Sequence, residues 1–485
     1  MSNVRKRKEY FRIRSFARHY DRESGKFTVN IAYETAAPEP SERVVAVAES
    51  FGLGLDKWEK FVICDNVELS LSPTDIVYIT GDSGSGKSVL LRALLKDLGD
   101  EAIDMNAAPK EPTKPLIETI GKTVEEGLEL LSRVGLNDAF LFLRCYDELS
   151  DGQRYRYRIA KLVESGRQFW FFDEFCSNLD RDTAKIVAFN VQKLARASGK
   201  AVVVATTHTD LFQDLKPSIH IHKRFGREIS IKYYPNEPAK ECSLMSEMHV
   251  EAGTTQDWKQ LANFHYRNHR AGAVRRIFCL KRGEELCGVI VYCYPPPQAY
   301  GRRMVLPKMT MKELNLKLSI ISRVVVHPKY RTMGLGCRLV RETLPFAGTE
   351  YVELPAVMAK YNPFAEHAGM KNIAEQKPSK DVLRIAKLLE EVGFKTQLLG
   401  SERYVCDVLR DLCSANLERV KEAFARAGHV RFLKYFSPDL PFGHREDYKK
   451  AVYAASLSKL AGLIKICGFL LQTKVYLFWQ APGDK

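Results

Sequence analysis

The 485-residue sequence predicts an α/β fold with two separate sheets and additional helices towards its C-terminal end. Three observations carry that expectation. The apolar run Asp75–Thr80 leads into Gly81-Asp-Ser-Gly-Ser-Gly-Lys-Ser88, and Val89–Leu95 then has the content of a packed helix. A second apolar strand, Ile320–Val326, turns through His327–Tyr330 into Arg331-Thr-Met-Gly-Leu-Gly336 and a further helix. Beyond residue 376, apolar residues recur at helical spacing.

The first of these stretches has the strand, glycine-rich turn, Lys-Ser, helix order of a P-loop. Gly81, Ser83, Gly84 and Gly86 let successive backbone N–H groups face an anionic phosphate chain. The helix N-terminus adds its positive end. Lys87 would reach the β- and γ-phosphates of ATP, and the Ser88 hydroxyl would hold Mg²⁺.

Bulk properties set the frame. Hydrophobic residues make up 45% and charged residues 27%, as in an ordinary globular protein of two to four domains. The net charge of +15 favours a polyanionic partner, nucleic acid before a membrane surface; solubility charge is the plain alternative. The 11 cysteines form no CxxC pair, which argues for a reducing compartment and against a zinc finger or disulfide framework. Met1–Lys8 leads into no apolar signal segment, and Leu460–Leu471 carries Lys465 and is too short to cross a bilayer. A cytoplasmic protein without a membrane partner is expected.

Residues 1–45 read as a basic arm. Cations from Arg5 to Lys26 interleave with Tyr10, Phe11, Phe16 and Tyr20, a composition suited to nucleic-acid backbone and stacked bases or to a solvated edge hairpin. Phe11–Arg14 alternates like a strand, Lys26–Tyr33 reads as its hairpin partner, and Ala36–Ser41 as a linker.

Residues 46–235 add further motifs. Leu149-Ser-Asp-Gly-Gln153 precedes a basic helix, and Phe169–Phe172 is an apolar strand ending at Asp173-Glu174. Ser177-Asn-Leu-Asp180 follows, and Ala201–Ala205 is another buried strand ending near His208. An Asp at a strand's C-terminal end can hold Mg²⁺ through water, and Glu174 beside it can orient or deprotonate an attacking water. Together these motifs resemble the ABC-type ATPases. Leu149–Gln153 looks like their signature, with Asp151 in place of its first glycine. Asp173 matches the Walker B carboxylate and Glu174 the catalytic glutamate. Ser177–Asp180 resembles the D-loop and His208 the switch histidine. The resemblance implies that Ser150, Gly152 and Gln153 cap the ATP of an opposite subunit, hence a head-to-tail homodimer. The sequence departs from the family in one respect: no glutamine lies between Ser88 and Leu149, so the Q-loop glutamine is missing or replaced. Phe51 is preferred over Trp58 as the adenine-stacking aromatic. Ser218–His222 and Glu228–Tyr233 form a closing hairpin.

Residues 236–375 hold the second cradle, by physics another glycine-bearing anion site at a helix N-terminus. In context it resembles motif A of the GNAT acyltransferases, a mixed-sheet fold. The resemblance implies that Arg331, Met333, Gly334, Leu335 and Gly336 bind the pyrophosphate of acetyl-CoA, and that the strand edge at Val324 and Val326 holds the pantetheine arm. Tyr361 or a near neighbour would be the general acid for the departing thiolate; Glu353 would be a base, or else a structural strand carboxylate. The basic stretch His265–Arg276, with Arg267, Arg270, Arg275 and Arg276, falls where that fold lines its acceptor and suits a phosphate-rich one, RNA before DNA; a contact to CoA phosphate or a solvated loop is the alternative.

Lys380–Val392, Arg403–Ser414, Asn416–Ala427 and Asp447–Leu471 read as helices, and Thr473–Trp479 as a last strand. Residues 376–472 are then an insertion into the acyltransferase sheet, completed by 473–485, or a separate dimerisation region. The expected function is an ATP-hydrolysing, acetyl-CoA-dependent acyltransferase acting on nucleic acid, probed against two alternatives: a protein N-acetyltransferase, and an ATP-gated nucleic-acid clamp with a non-catalytic GNAT fold.

Overall fold

The computed structural model describes residues 11–15, 19–21, 23–35, 41–52, 60–108, 111–136, 138–264, 272–357, 362–436 and 445–482. It divides into two compact units. The first comprises Met1–Arg270, Ile277–Ile290 and Val324–Leu339; the second comprises Ala271–Arg276, Val291–Arg323 and Val340–Lys485.

The first unit opens with an antiparallel sheet. Its strands are β1 (Phe11–Ser15), β2 (His19–Asp21), β3 (Lys26–Thr35) and β4 (Lys60–Ser70), with β3 pairing all three others. β1 pairs with β3 as the hairpin reading expects, and the long β3–β4 ladder, Lys26↔Ser70 to Glu34↔Lys60, ties that basic segment to the one before the P-loop. Alternation explains why: Phe27, Val29 and Ile31 face inward with Ile63, Val67 and Leu69 and share one core with Val89, Leu90, Leu91 and Leu94 of the helix Lys87–Leu98. The arm's β3 is therefore a wall of the nucleotide-binding unit. Between the two strands, Glu42–Phe51 is a helix capped by Ser41 and closed by left-handed Gly52.

A six-stranded sheet follows: β5 (Ile76–Gly81), β6 (Ala102–Asp104), β7 (Phe169–Phe172), β8 (Ala201–Ala205), β9 (Ile219–Lys223) and β10 (Ile229–Tyr233), in the order β10-β9-β5-β8-β7-β6. All but the β9–β10 hairpin pair in parallel, which requires both faces to be covered. β5 satisfies both: Ile76 and Tyr78 enter one core, with Trp170, Phe172 and Val204, while Val77 and Ile79 enter the other, with Phe169, Phe171 and Val203. Parallel strands bring the C-terminal ends of β5, β7 and β8 to one edge, and the motif residues follow those ends.

A seven-stranded sheet is built from β11 (Met248–Ala252), β12 (Val274–Arg282), β13 (Glu285–Cys293), β14 (Leu318–Val326), β15 (Tyr351–Ala356), β16 (Lys371–Gln376) and β17 (Lys474–Gln480). Its order is β11-β12-β13-β14-β15-β17-β16, and the unit boundary passes through β12, β13 and β14. In the second unit, β15 pairs with β14 in parallel over Leu318–Ile320 alone, and with β17 in antiparallel over its whole length. The last strand thus lies between β15 and β16, and the helices before it interrupt the sheet in sequence only. They have a core of their own, including Leu389, Val405, Phe424, Phe432 and Ile464. The stretch expected as one helix, 447–471, is two, Arg445–Tyr453 and Leu457–Leu470, because the Ser456 side chain caps the second by accepting from the Lys459 N–H at 3.3 Å. Among the described residues no helix is long and apolar enough to cross a membrane. All 11 cysteines are free thiols.

Candidate functional site

The P-loop turns on three left-handed glycines, Gly81, Gly84 and Gly86. A Cβ on Gly81 would overlap the Lys223 carbonyl, and one on Gly86 would stand 2.6 Å from Ile63 Cγ2. The loop must therefore be glycine where β9 and β4 press on it. Lys87 is buried beneath the loop and donates to the Gly81 carbonyl at 2.9 Å and the Asp82 carbonyl at 2.5 Å. Burial lowers its ammonium below the usual lysine range, against the pull of Asp82 and Asp173. Those carbonyls hold the charge at the mouth of the loop, from which an anionic phosphate can draw it.

Ser88 is the second residue of the helix Lys87–Leu98, and its hydroxyl donates to Asp173 Oδ1 at 2.7 Å. β5 delivers Ser88 and β7 delivers Asp173, so the two oxygens expected at Mg²⁺ converge from different strands. A hydroxyl and a carboxylate in contact fit a hard divalent cation. Glu174 is exposed beside them with φ of 51°, an uncommon conformation outside glycine. His208 follows β8; Tyr78 donates its hydroxyl hydrogen to the His208 carbonyl. Burial, then the Arg181 charge, lowers the His208 imidazole below 6.5, with Asp210 pulling the other way.

Ser150 and Gln153 cap each other at the head of the helix Asp151–Ser165. The Ser150 N–H donates to Gln153 Oε1 at 3.0 Å, and the Gln153 N–H to Ser150 Oγ at 3.4 Å. Asp151, in place of a glycine, is exposed and lies 3.7 Å from Arg154. Gly152 has room: a Cβ there would meet only Thr183 Cγ2, at 3.9 Å. Phe51 ends its helix 75% exposed, and Trp58 lies outside the described residues.

The second cradle lies wholly in the first unit. Gly334 has φ of 86° and open space where a Cβ would be, ahead of the helix Leu335–Thr343, whose first N–H groups have no intrahelical partner. Met333 and Leu335 are buried beneath it and Gly336 is half-buried. Gly288 lets that helix approach the sheet, since a Cβ there would stand 2.9 Å from Leu339 Cδ1. Val324 and Val326 are half-buried on β14. Arg331 turns inward: it is nine-tenths buried, its Nε donates to the Val326 carbonyl at 3.3 Å, and its Nη1 meets no acceptor among the described residues. It braces the turn from below.

Two expectations on this half need correction. Glu353 is fully buried, and Arg302 takes both of its oxygens, Nη2 to Oε1 at 2.6 Å and Nε to Oε2 at 3.0 Å; the Tyr476 hydroxyl donates to Oε2 at 2.8 Å. It has no access to a substrate proton and is a structural carboxylate. Arg275 donates to the Asn315 and Leu318 carbonyls and stacks 4.3 Å above Tyr294, and Arg276 donates to the Phe346 carbonyl at 2.7 Å. Arg275 is engaged by its own unit rather than held out to an acceptor, whereas Arg276 is exposed and gives that carbonyl one of its N–H groups. Arg267, Arg270 and Tyr361 lie outside the described residues.

No family model matches the chain. The cytochrome c biogenesis ATP-binding export protein CcmA of a Ruegeria species is 31% identical over 164 residues, which is 30% of this chain and 77% of that protein. The protein of the same name from Gluconobacter oxydans is 31% identical over 168 residues, 31% of this chain and 76% of its own length. Among solved structures, a dimeric ATP-binding cassette in a post-hydrolysis state with ADP and Pi aligns with a TM-score of 0.31 at 21% identity, covering 36% of this chain and 92% of that one.

Proposed function

The chain belongs to the ATP-binding cassette ATPases over the 30% that those relatives cover, and from that premise we propose that it couples ATP hydrolysis to acyl transfer from acetyl-CoA onto a nucleic acid, RNA first. The contact between Ser88 and Asp173 at 2.7 Å, with Glu174 next in the chain, carries the ATPase part. Lys87 and the loop N–H groups hold the phosphates. Ser88 and Asp173 would hold Mg²⁺, which would supply charge neutralisation to the bound phosphates. Glu174 accepts the proton of the attacking water, and His208, neutral at pH 7, faces the γ-phosphate. Ser150, Gly152 and Gln153 complete the site of a second copy of the chain, so binding of two ATP molecules closes a head-to-tail dimer.

The transferase part is supported by where the β14–β15 ladder stops. Pairing ends at Ile320↔Glu353, while β14 continues to Val326 and runs into the cradle. The edge of β14 beyond Ile320 suits the amides of a pantetheine arm, with the pyrophosphate on Met333–Gly336. The acceptor amine attacks the thioester carbon; the C–N bond forms as the C–S bond breaks, and the thiolate leaves with a proton. The net charge of +15 supports a polyanionic acceptor.

Incubation of the protein with labelled acetyl-CoA, with and without ATP, against RNA, DNA and protein tests this. Label should appear in RNA and depend on ATP; label in none of the three overturns the transferase. One observation favours a second reading, a nucleic-acid clamp whose GNAT-like half only binds: Glu353 is spent on Arg302. Function that survives Gly334→Glu would select it.

A further inference from the structure

The turn that opens the second cradle is gripped by the nucleotide-binding part of the same unit. Arg156 lies in the helix Asp151–Ser165, three residues beyond Gln153, and is nine-tenths buried. Its guanidinium pairs with no carboxylate among the described residues. It donates instead to the backbone of the turn, Nη1 to the Pro328 carbonyl at 3.4 Å and Nη2 to the Lys329 carbonyl at 3.1 Å. Asp182 lies in the first turn of the helix Arg181–Ala197 and accepts from Lys329 Nζ at 2.8 Å and from Arg282 Nη1 at 2.8 Å. Gly135 packs below, where a Cβ would stand 2.8 Å from Thr332 Cγ2 and 2.7 Å from Arg156 Nη1. Thr332 itself has φ of 79°, an outlier for a β-branched residue.

Both grips lead back to the ATP site through bonds on the same chain. Asp173 and Glu174 continue directly into Cys176, whose N–H donates at 3.2 Å to the hydroxyl of Tyr155, the neighbour of Arg156. The same segment ends at Asp180, whose carboxylate caps the helix carrying Asp182 by accepting from the Thr183 N–H at 3.0 Å. Glu174 and Cys176 have φ of 51° and 58°. Strained joints therefore stand at both ends of the path, Glu174 and Cys176 at one and Thr332 at the other, and conformations of that kind persist only while their surroundings hold them.

We propose that Arg156 and Asp182 are positioning residues that set the Pro328–Thr332 turn according to the occupant of the Lys87–Ser88–Asp173 site, so that ATP and acyl-CoA bind with coupled affinities. The inference rests on the acyl-CoA reading of the cradle. Coupling of this kind is reciprocal: whatever factor ATP exerts on CoA affinity, CoA exerts on ATP.

The test is calorimetric titration of CoA into the full chain, alone and with Mg²⁺ and a non-hydrolysable ATP analogue. The two dissociation constants should differ by about 5-fold or more, and the analogue's affinity should shift by the same factor when CoA is present. Asp182→Asn and Lys329→Gln should each retain CoA binding but bring the ratio towards one; Asp182→Glu should restore it, which a purely structural role for the carboxylate would not require. Equal CoA affinity with and without the analogue in the native chain overturns the coupling while leaving the acyl-CoA reading intact. A ratio unchanged in both variants overturns the assignment to these residues. Absence of CoA binding under every condition overturns the acyl-CoA reading and the inference together.

Discussion

Replacing Glu353 by glutamine separates a structural carboxylate from a catalytic one. The native side chain is fully buried and Arg302 is 5% exposed, so neither charge has water to fall back on. Glutamine keeps the shape and removes the charge. The guanidinium then retains the Pro296 and Pro297 carbonyls, at 2.8 and 3.2 Å, and one amide oxygen, but no counter-charge. Breaking a buried pair from one side costs about 3–5 kcal/mol, because the other charge stays buried and uncompensated. At about 2–4 °C per kcal/mol for a domain of this size, Tm should fall by roughly 6–20 °C. Removing both ends, as Arg302→Met with Glu353→Leu, should return most of that loss, since no lone charge remains. Tyr476→Phe should cost about 1.5–3 kcal/mol, the usual range for a hydrogen bond to a charged group.

Thermal unfolding and acetyl transfer are read on the same preparation, with transfer measured well below the variant's transition. Glu353→Gln should melt early and still transfer at that temperature. A variant that melts within about 1 °C of the native chain yet has lost transfer would refute the reasoning, because the carboxylate would then act on substrate rather than on Arg302.

Lys87→Ala should abolish nucleotide binding and Glu174→Gln should abolish hydrolysis while retaining ATP, as read by a filter-binding and a phosphate-release assay; turnover in both would remove the site from this loop. For His208 the sign follows from a folded-state value below 6.5. The folded protein binds fewer protons here than the unfolded chain, so both stability and turnover should decline only as pH falls below that point. His208→Gln should remove the acid limb of the ATPase profile, and a limb identical in the variant would place the titrating group elsewhere.

What the sequence made legible was local. The P-loop, the signature and the Asp173-Glu174 pair are each short runs whose backbone conformation is dictated by their own residues, by glycine where φ is positive and by apolar strands that must be buried. The packing of the 1–45 segment on the P-loop helix was not legible, because one face of β3, Lys26, Thr28 and Asn30, is polar. The other face, Phe27, Val29 and Ile31, acquires meaning only against Ile63 and Leu90, contacts across the chain that no local pattern reports. Glu353 was misread for the same reason. A lone acid on a strand looks available until Arg302 and Tyr476, 51 and 123 residues away in sequence, fill its lone pairs.

Arg156 and Asp182 press that lesson further. In sequence each is an unremarked charge one turn past a motif, and a charged residue at a helix start ordinarily reads as solvated. Their partners are two backbone carbonyls and a lysine about 150 residues on, at the mouth of a different cradle. A guanidinium this deeply buried is driven down to about 10 by desolvation, with Arg331 adding to the effect and Asp180 opposing it. It stays in place because the Pro328 and Lys329 carbonyls take its donors, so the turn and the helix cannot move independently without stranding either the charge or the carbonyls. For Asp182, burial pushes the carboxyl up, and the bonds from Lys329 and Arg282 outweigh it, leaving it below the usual carboxylate range. The link is then charged throughout the neutral range, and only acidification below the usual carboxylate range should neutralise Asp182 and uncouple the cradle from the nucleotide.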